Sequence, residues 1–146
     1  MFIKTSDLQT KYFTNRYNKL LEEELGKELY NQLVERELIK PIIESAFRKR
    51  QLIEYDIIDL LCALKGNMLL EEKWFNKSEK IILDKLATAT LVILLYTDNQ
   101  PLELEEILDP INYIHEYNHD ICVIDRTIAK DNFMGYVALV FGKELN

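Results

Sequence analysis

Apolar side chains recur every three or four residues through the first part of the chain, which is the spacing of one face of an α-helix. Residues 8–25 predict a first helix, which Gly26 would end. A second helix is predicted over 29–38. Pro41 either stops that helix or starts another one over 42–47, because proline lacks a backbone donor and crowds the preceding turn.

The middle of the chain has the most continuous apolar pattern. Asp56 is placed to cap a helix that would break or kink near Gly66. Residues 78–97 predict a helix that is apolar nearly all round, and such a helix has to be surrounded by the others.

The last third contains proline and several cap residues. Residues 98–101 predict a turn, and Asp109 followed by proline predicts a helix over Pro110–Asn118. Three of the four residues 121–124 are β-branched, and the segment fits either an extension of that helix, which the pattern favours, or a short strand. A last amphipathic helix is predicted over 133–145.

These patterns together predict an all-α fold. The expected architecture is a single compact bundle of about six to eight helices around the central apolar helix at 78–97. With 146 residues, 48% of them hydrophobic, the chain matches the size of one domain, and the scarcity of Gly (4) and Pro (3) leaves no linker. We therefore expect one helical domain over residues 1–146.

The sequence predicts a cytoplasmic protein. The N-terminus becomes polar after three residues and lacks the pattern of a secretory signal. The most apolar segment, residues 86–96, is much shorter than the roughly 20 residues of a membrane-spanning helix. Cys62 and Cys122 are too few for a disulfide framework, so we expect free thiols in a reducing compartment.

The charge distribution is the strongest functional signal. The net charge is −7, which argues against binding to a nucleic acid backbone, because such binding needs concentrated Lys and Arg. Between positions 97 and 125 there is no Lys or Arg at all. The carboxylates of this acidic tract are Asp98, Glu103, Glu105, Glu106, Asp109, Glu116, Asp120 and Asp125.

One short motif suggests metal chemistry. His115-Glu116-Tyr117-Asn118-His119 resembles the H-E-x-x-H pattern of zinc metallopeptidases. On a helix the two histidines would share one face and could bind a zinc ion, with Cys122 as a third ligand. The resemblance covers five residues only, and the β-sheet that such catalytic domains carry is not predicted upstream. The alternative is that His115 packs at a helix–helix contact while His119 is solvated.

The prediction that best fits these observations is a non-enzymatic acidic protein that neutralises or scaffolds a basic protein partner. In size and charge the chain is similar to small immunity proteins that inhibit bacterial nuclease toxins, and to antitoxins. No cofactor, nucleic acid or membrane is expected as a partner. The predicted partner-binding residues are Glu103, Glu105, Glu106, Asp109, Tyr113, Glu116, Tyr117 and Asp120.

Two alternatives remain at this point. The first is a zinc-binding protein or small metallohydrolase that uses the motif at 115–119, in which His115 and His119 bind zinc with Cys122 as a third ligand and Glu116 activates the bound water. The second is a structural subunit of a phage particle or larger assembly, in which apolar surface would mediate the contacts.

Overall fold

The computed structural model describes residue 19 and residues 21–47, 53–130 and 132–143. The chain falls into two compact units, Met1–Gly66 and Asn67–Asn146. That the whole chain forms one domain stays a prediction. None of the described helices combines the length and the apolar character that crossing a bilayer requires.

In its described part the first unit is built from helices. Residues 21–25 are helical, and Gly26 follows them with a φ of 86°. Three more helices come next: α1 (Lys27–Glu35), α2 (Ile39–Phe47) and α3 (Ile53–Leu64). Leu21 and Ile43 are buried together, and the partly buried Tyr30, Ile39 and Leu61 pack against them.

The helix boundaries in this unit agree in part with the sequence pattern. Gly26 separates two helices as predicted, and Pro41 lies in the first turn of α2, where its missing N–H has no intrahelical partner to lose. The predicted break near Gly66 is confirmed, because α3 ends at Leu64 and Gly66 has a φ of 82°. However, α3 begins before Asp56. The predicted helix over 8–25 lies largely outside the described residues.

The second unit is a four-stranded sheet with one long helix. Its strands are β1 (Met68–Asn76), β2 (Ala89–Thr97), β3 (Cys122–Ile128) and β4 (Gly135–Gly142), in the spatial order β1-β4-β2-β3. Strand β4 is antiparallel to both β1 and β2, whereas β2 and β3 are parallel and are joined through helix α4 (Leu104–Tyr117).

The predicted all-α bundle is therefore wrong, and β2 shows why. Residues 78–97 were expected to form the central helix, but 89–97 form a strand between β4 and β3. Every side chain from Leu91 to Thr97 is buried. A strand covered on both faces needs apolar residues throughout, so the alternation that marks a half-covered strand is missing. The same run then resembles a helix that is apolar all round.

The end of the chain was misread for the same reason. Residues 133–145 were predicted to be a helix, yet Gly135–Gly142 form β4, in which every residue is buried. The two terminal glycines mark close backbone approaches: a Cβ at Gly135 would overlap the carbonyl oxygen of Phe75 in β1. The helix favoured for 121–124 is also wrong, because the alternative strand forms there and continues to Ile128.

Helix α4 packs on one face of this sheet. Alternate side chains of β2 and β4 point to that face and form a buried cluster with residues of α4 and of the loops. Tyr136 is central to it, because its ring lies 5.0 Å from the ring of Tyr96 and 5.2 Å from that of Phe75. The main members are Phe75, Val92, Leu94, Tyr96, Ile114, Ile121, Tyr136, Ala138 and Val140.

Candidate functional site

Helix α4 carries most of the predicted partner-binding residues, and it begins earlier than the sequence predicts. Asp109 and Pro110 were expected to be its cap and first residue, but the helix starts at Leu104 and includes both of them. Glu105 and Glu106 occupy its first turn, where carboxylates interact favourably with the partial positive charge of the helix N-terminus.

Two tyrosine hydroxyls connect α4 to its surroundings. Pro110 has no N–H, so it cannot make the usual intrahelical hydrogen bond to the carbonyl of Glu106. The hydroxyl of Tyr96 in β2 lies 3.4 Å from that carbonyl oxygen and donates to it. The hydroxyl of Tyr113 accepts a hydrogen bond of 3.1 Å from the backbone N–H of Leu83. These contacts and the burial of Ile114 fix which side of α4 faces outward.

The exposed side of α4 presents two neighbouring rows of residues. Glu105, Asp109 and Glu116 are all exposed and lie within a narrow arc of the helix, because they are spaced by four and seven residues. We call these three carboxylates the acidic row. None of them has an ion pair with a lysine or arginine in the part of the chain that the structure describes. Beside them lie Leu104, which is 70% exposed, and Leu108, which is 41% exposed.

The other predicted partner-binding residues are placed less uniformly. Glu103 is the residue before α4, and Tyr117, 59% exposed, is its last residue. Tyr113 is partly buried by its contact with the loop at Leu83. Asp120 lies beyond the helix, with its Oδ1 3.4 Å from Nε2 of His119. The structure thus aligns three of the predicted carboxylates in one row and distributes the rest around the helix ends.

A cleft of about 570 Å³ runs along one flank of α4. Glu106, Asp109 and Glu116 line it from the helix, and Lys77 and Lys80 line it from the segment that follows β1. The Nζ of Lys77 lies 3.9 Å from Oε1 of Glu106 and donates to the carbonyl oxygen of Pro101 at 3.1 Å. Positive charge from outside the acidic tract therefore partly neutralises this flank.

The cleft lies at the carboxyl ends of β1 and β2, where open α/β sheets commonly bind ligands. Tyr96 and Tyr136 form part of its lining. Burial raises the pKa of both hydroxyls above the ordinary tyrosine value, and for Tyr96 the neighbouring Tyr136 adds to the effect. Both tyrosines are therefore neutral at physiological pH and are not phenolate bases.

The residues of the metal hypothesis do not form the arrangement that it requires. Helix α4 ends at Tyr117, so His115 lies on the helix while His119 lies in the following turn and Cys122 begins β3. The Nε2 of His115 is 3.1 Å from the carbonyl oxygen of Ile121, so this ring nitrogen is engaged in a hydrogen bond. Among the described residues, no group of three or more His, Cys, Asp or Glu side chains could hold a metal ion.

Sequence analysis did not identify Lys77 and Lys80 as members of this site. They are separated from the acidic tract along the chain, and only the pairing of β1 with β4 and of β4 with β2 brings their segment next to α4. Comparisons of the chain with protein-family models, with curated proteins and with solved structures found no match. The candidate site therefore has to be interpreted from its own geometry and charge.

Proposed function

We propose that this chain is a binding protein whose acidic row on α4 docks a basic protein partner and thereby neutralises or scaffolds it. The observation that carries the proposal is the alignment of Glu105, Asp109 and Glu116 on one exposed helix face, where none of them forms an ion pair with a lysine or arginine in the described part of the chain. A basic nuclease toxin is the partner class to which the similarity in size and charge points.

The spacing of the acidic row suits an extended or helical basic segment. Glu105 and Asp109 are about 6 Å apart along the helix axis, and Glu116 lies about 10 Å further on, at 1.5 Å per residue. Because these carboxylates are exposed, their attraction is long-ranged and screened by salt, so they mainly increase the association rate and set the orientation of the partner.

Charge reversal tests the proposal. The probe is a synthetic lysine-rich peptide of about ten residues, with binding measured by fluorescence anisotropy at low and at physiological salt. Each exposed charge contact contributes about 0.5 kcal/mol, and reversal turns that attraction into a repulsion of similar size. The triple change Glu105→Lys, Asp109→Lys and Glu116→Lys should then weaken binding by about 3 kcal/mol, roughly a hundredfold.

The matched control reverses three exposed carboxylates of the first unit, Glu23, Glu28 and Glu35, so that the net charge changes equally. We expect this control to lose much less affinity than the acidic-row variant. An equal loss in the two variants would show that only net charge matters, and the proposal would fail.

Removing the positive charge of Lys77 should have the opposite effect and increase the affinity for the peptide. Lys77 is the cation nearest to Glu106 in the cleft, at 3.9 Å. Removing it by Lys77→Ala should free the carboxylate of Glu106 and raise the affinity for the lysine-rich peptide about two- to threefold. Weaker binding of this variant would contradict the idea that the flank of α4 attracts cations.

A further inference from the structure

The apolar pair on α4, Leu104 and Leu108, lies directly beside the acidic row. Both leucines are exposed and are one helical turn apart, so their side chains form one short apolar strip. Glu105 and Asp109 each follow a leucine by one residue, which places the carboxylates about 100° around the helix from that strip. The outward face of α4 is therefore amphipathic.

We infer that this face docks a basic amphipathic helix, whose apolar residues cover Leu104 and Leu108 and whose Lys or Arg side chains face Glu105 and Asp109. The inference rests on the proposed function and specifies the kind of segment that the partner presents. Two helices that pack side by side bury apolar residues between flanking charged residues. Helix α4 presents such apolar residues, Leu104 and Leu108, with carboxylates on one side of them.

The negative charge of this face favours a basic helix over a second copy of the chain or a membrane surface. A second copy of the chain that used the same face would bring its own acidic row close to this one, which is unfavourable. A membrane surface has the same difficulty, because the headgroups of the anionic lipids would repel Glu105, Asp109 and Glu116. A segment with apolar residues on one side and cations beside them satisfies both rows at once.

The two rows have separate effects on binding. The leucines lose contact with water when they are covered, which slows dissociation of the partner, whereas the carboxylates act on its approach and orientation. Leu104 exposes more of its surface than Leu108, 70% against 41%, so it has more surface to bury. The change Leu104→Ala should therefore weaken binding more than Leu108→Ala does.

Two peptides of equal charge test the inference. One is an amphipathic helix of leucine and lysine, and the other is the same peptide with every leucine replaced by alanine, which keeps the helix propensity high. We expect the leucine peptide to bind the wild-type chain at least tenfold more tightly. The double change Leu104→Ser and Leu108→Ser should remove this difference without altering the binding of the alanine peptide.

The control for this experiment is Ile82→Ser. Ile82 is 57% exposed, lies in the same unit and is not part of α4. This variant should retain the preference for the leucine peptide. If the Leu104 and Leu108 double variant retains it as well, while its circular dichroism is unchanged, the inference is overturned.

The outcomes also separate this inference from the proposed function. If neither peptide binds the wild-type chain better than it binds the acidic-row variant, the proposed function fails. If both peptides depend on the acidic row but bind equally well, only the inference fails. If sedimentation shows that the wild-type chain self-associates and that Leu104→Ser abolishes the association, the occupant is a second copy and the inference is overturned.

Discussion

The hydroxyl of Tyr96 compensates for a donor that Pro110 removes from α4, and this can be tested by a double-mutant cycle. Tyr96→Phe deletes the hydroxyl and leaves the carbonyl of Glu106 without the donor now 3.4 Å away. A hydrogen bond within a protein contributes about 0.5–1.5 kcal/mol to stability, and a contact of this length belongs at the lower end. We expect Tyr96→Phe to lower the free energy of unfolding by about 0.5 kcal/mol.

In a Pro110→Ala background the same change should have almost no effect. Alanine at position 110 has a backbone N–H that can donate to the carbonyl of Glu106, so the hydroxyl of Tyr96 becomes redundant. The expected coupling energy is therefore also about 0.5 kcal/mol. The cycle does not depend on the separate effect of Pro110→Ala, in which relief from the proline is offset by the loss of its buried ring.

The assay is unfolding in urea, followed by the fluorescence of Trp74. This residue is the only tryptophan of the chain and lies in β1, so its signal reports on the unit that contains α4. Tyr136→Phe is the matched control, because Tyr136 is buried beside Tyr96 and its hydroxyl has no hydrogen bond with any described residue. An equal loss for Tyr96→Phe in both backgrounds would refute the reasoning.

Two further predictions concern the sheet. Gly135→Ala should lower the free energy of unfolding by about 3 kcal/mol in the same urea assay, because its Cβ would overlap the carbonyl oxygen of Phe75. Gly66→Ala, at a positive φ but in open space at the end of the first unit, should cost only about 1 kcal/mol in urea unfolding followed by circular dichroism. Because burial raises the pKa of Tyr96 and Tyr136, the folded state keeps them protonated after the unfolded chain has begun to lose those protons. The free energy of unfolding should thus fall as the pH rises above 10.0, and less steeply in Tyr136→Phe, whereas an equal slope in both proteins would contradict this.

Two glycines predicted where helices end, whereas the periodic pattern did not predict the strands. Gly26 and Gly66 end helices as expected, since each adopts a positive φ that other residues rarely take. The pattern failed at β2 and β4, because strands buried on both faces contain the same uninterrupted apolar runs as a buried helix. The remaining signal was length: the apolar run 136–141 is bounded closely by glycine at both ends, which favours a strand over a helix.

The site was predicted in part for a different reason. Its carboxylates were recognised by charge alone, which needs no fold, but their alignment depends on how far α4 extends. A helix from Pro110 would have left Glu105 and Asp109 outside it, and only the start at Leu104 places them on one face with Glu116. The proline rule misled here because the hydroxyl of Tyr96, distant in sequence, supplies a donor to the helix.

The number of carboxylates that can act together is smaller than the acidic tract suggests, and this limits the kind of partner. Glu106 is paired with Lys77, and Asp120 faces His119, so the acidic row is the part of the tract that is aligned and forms no ion pair with a lysine or arginine of the described chain. Three exposed charges give modest, salt-sensitive attraction. Tight binding would therefore need apolar contact as well, and the leucines beside the acidic row are the residues on α4 that can provide it.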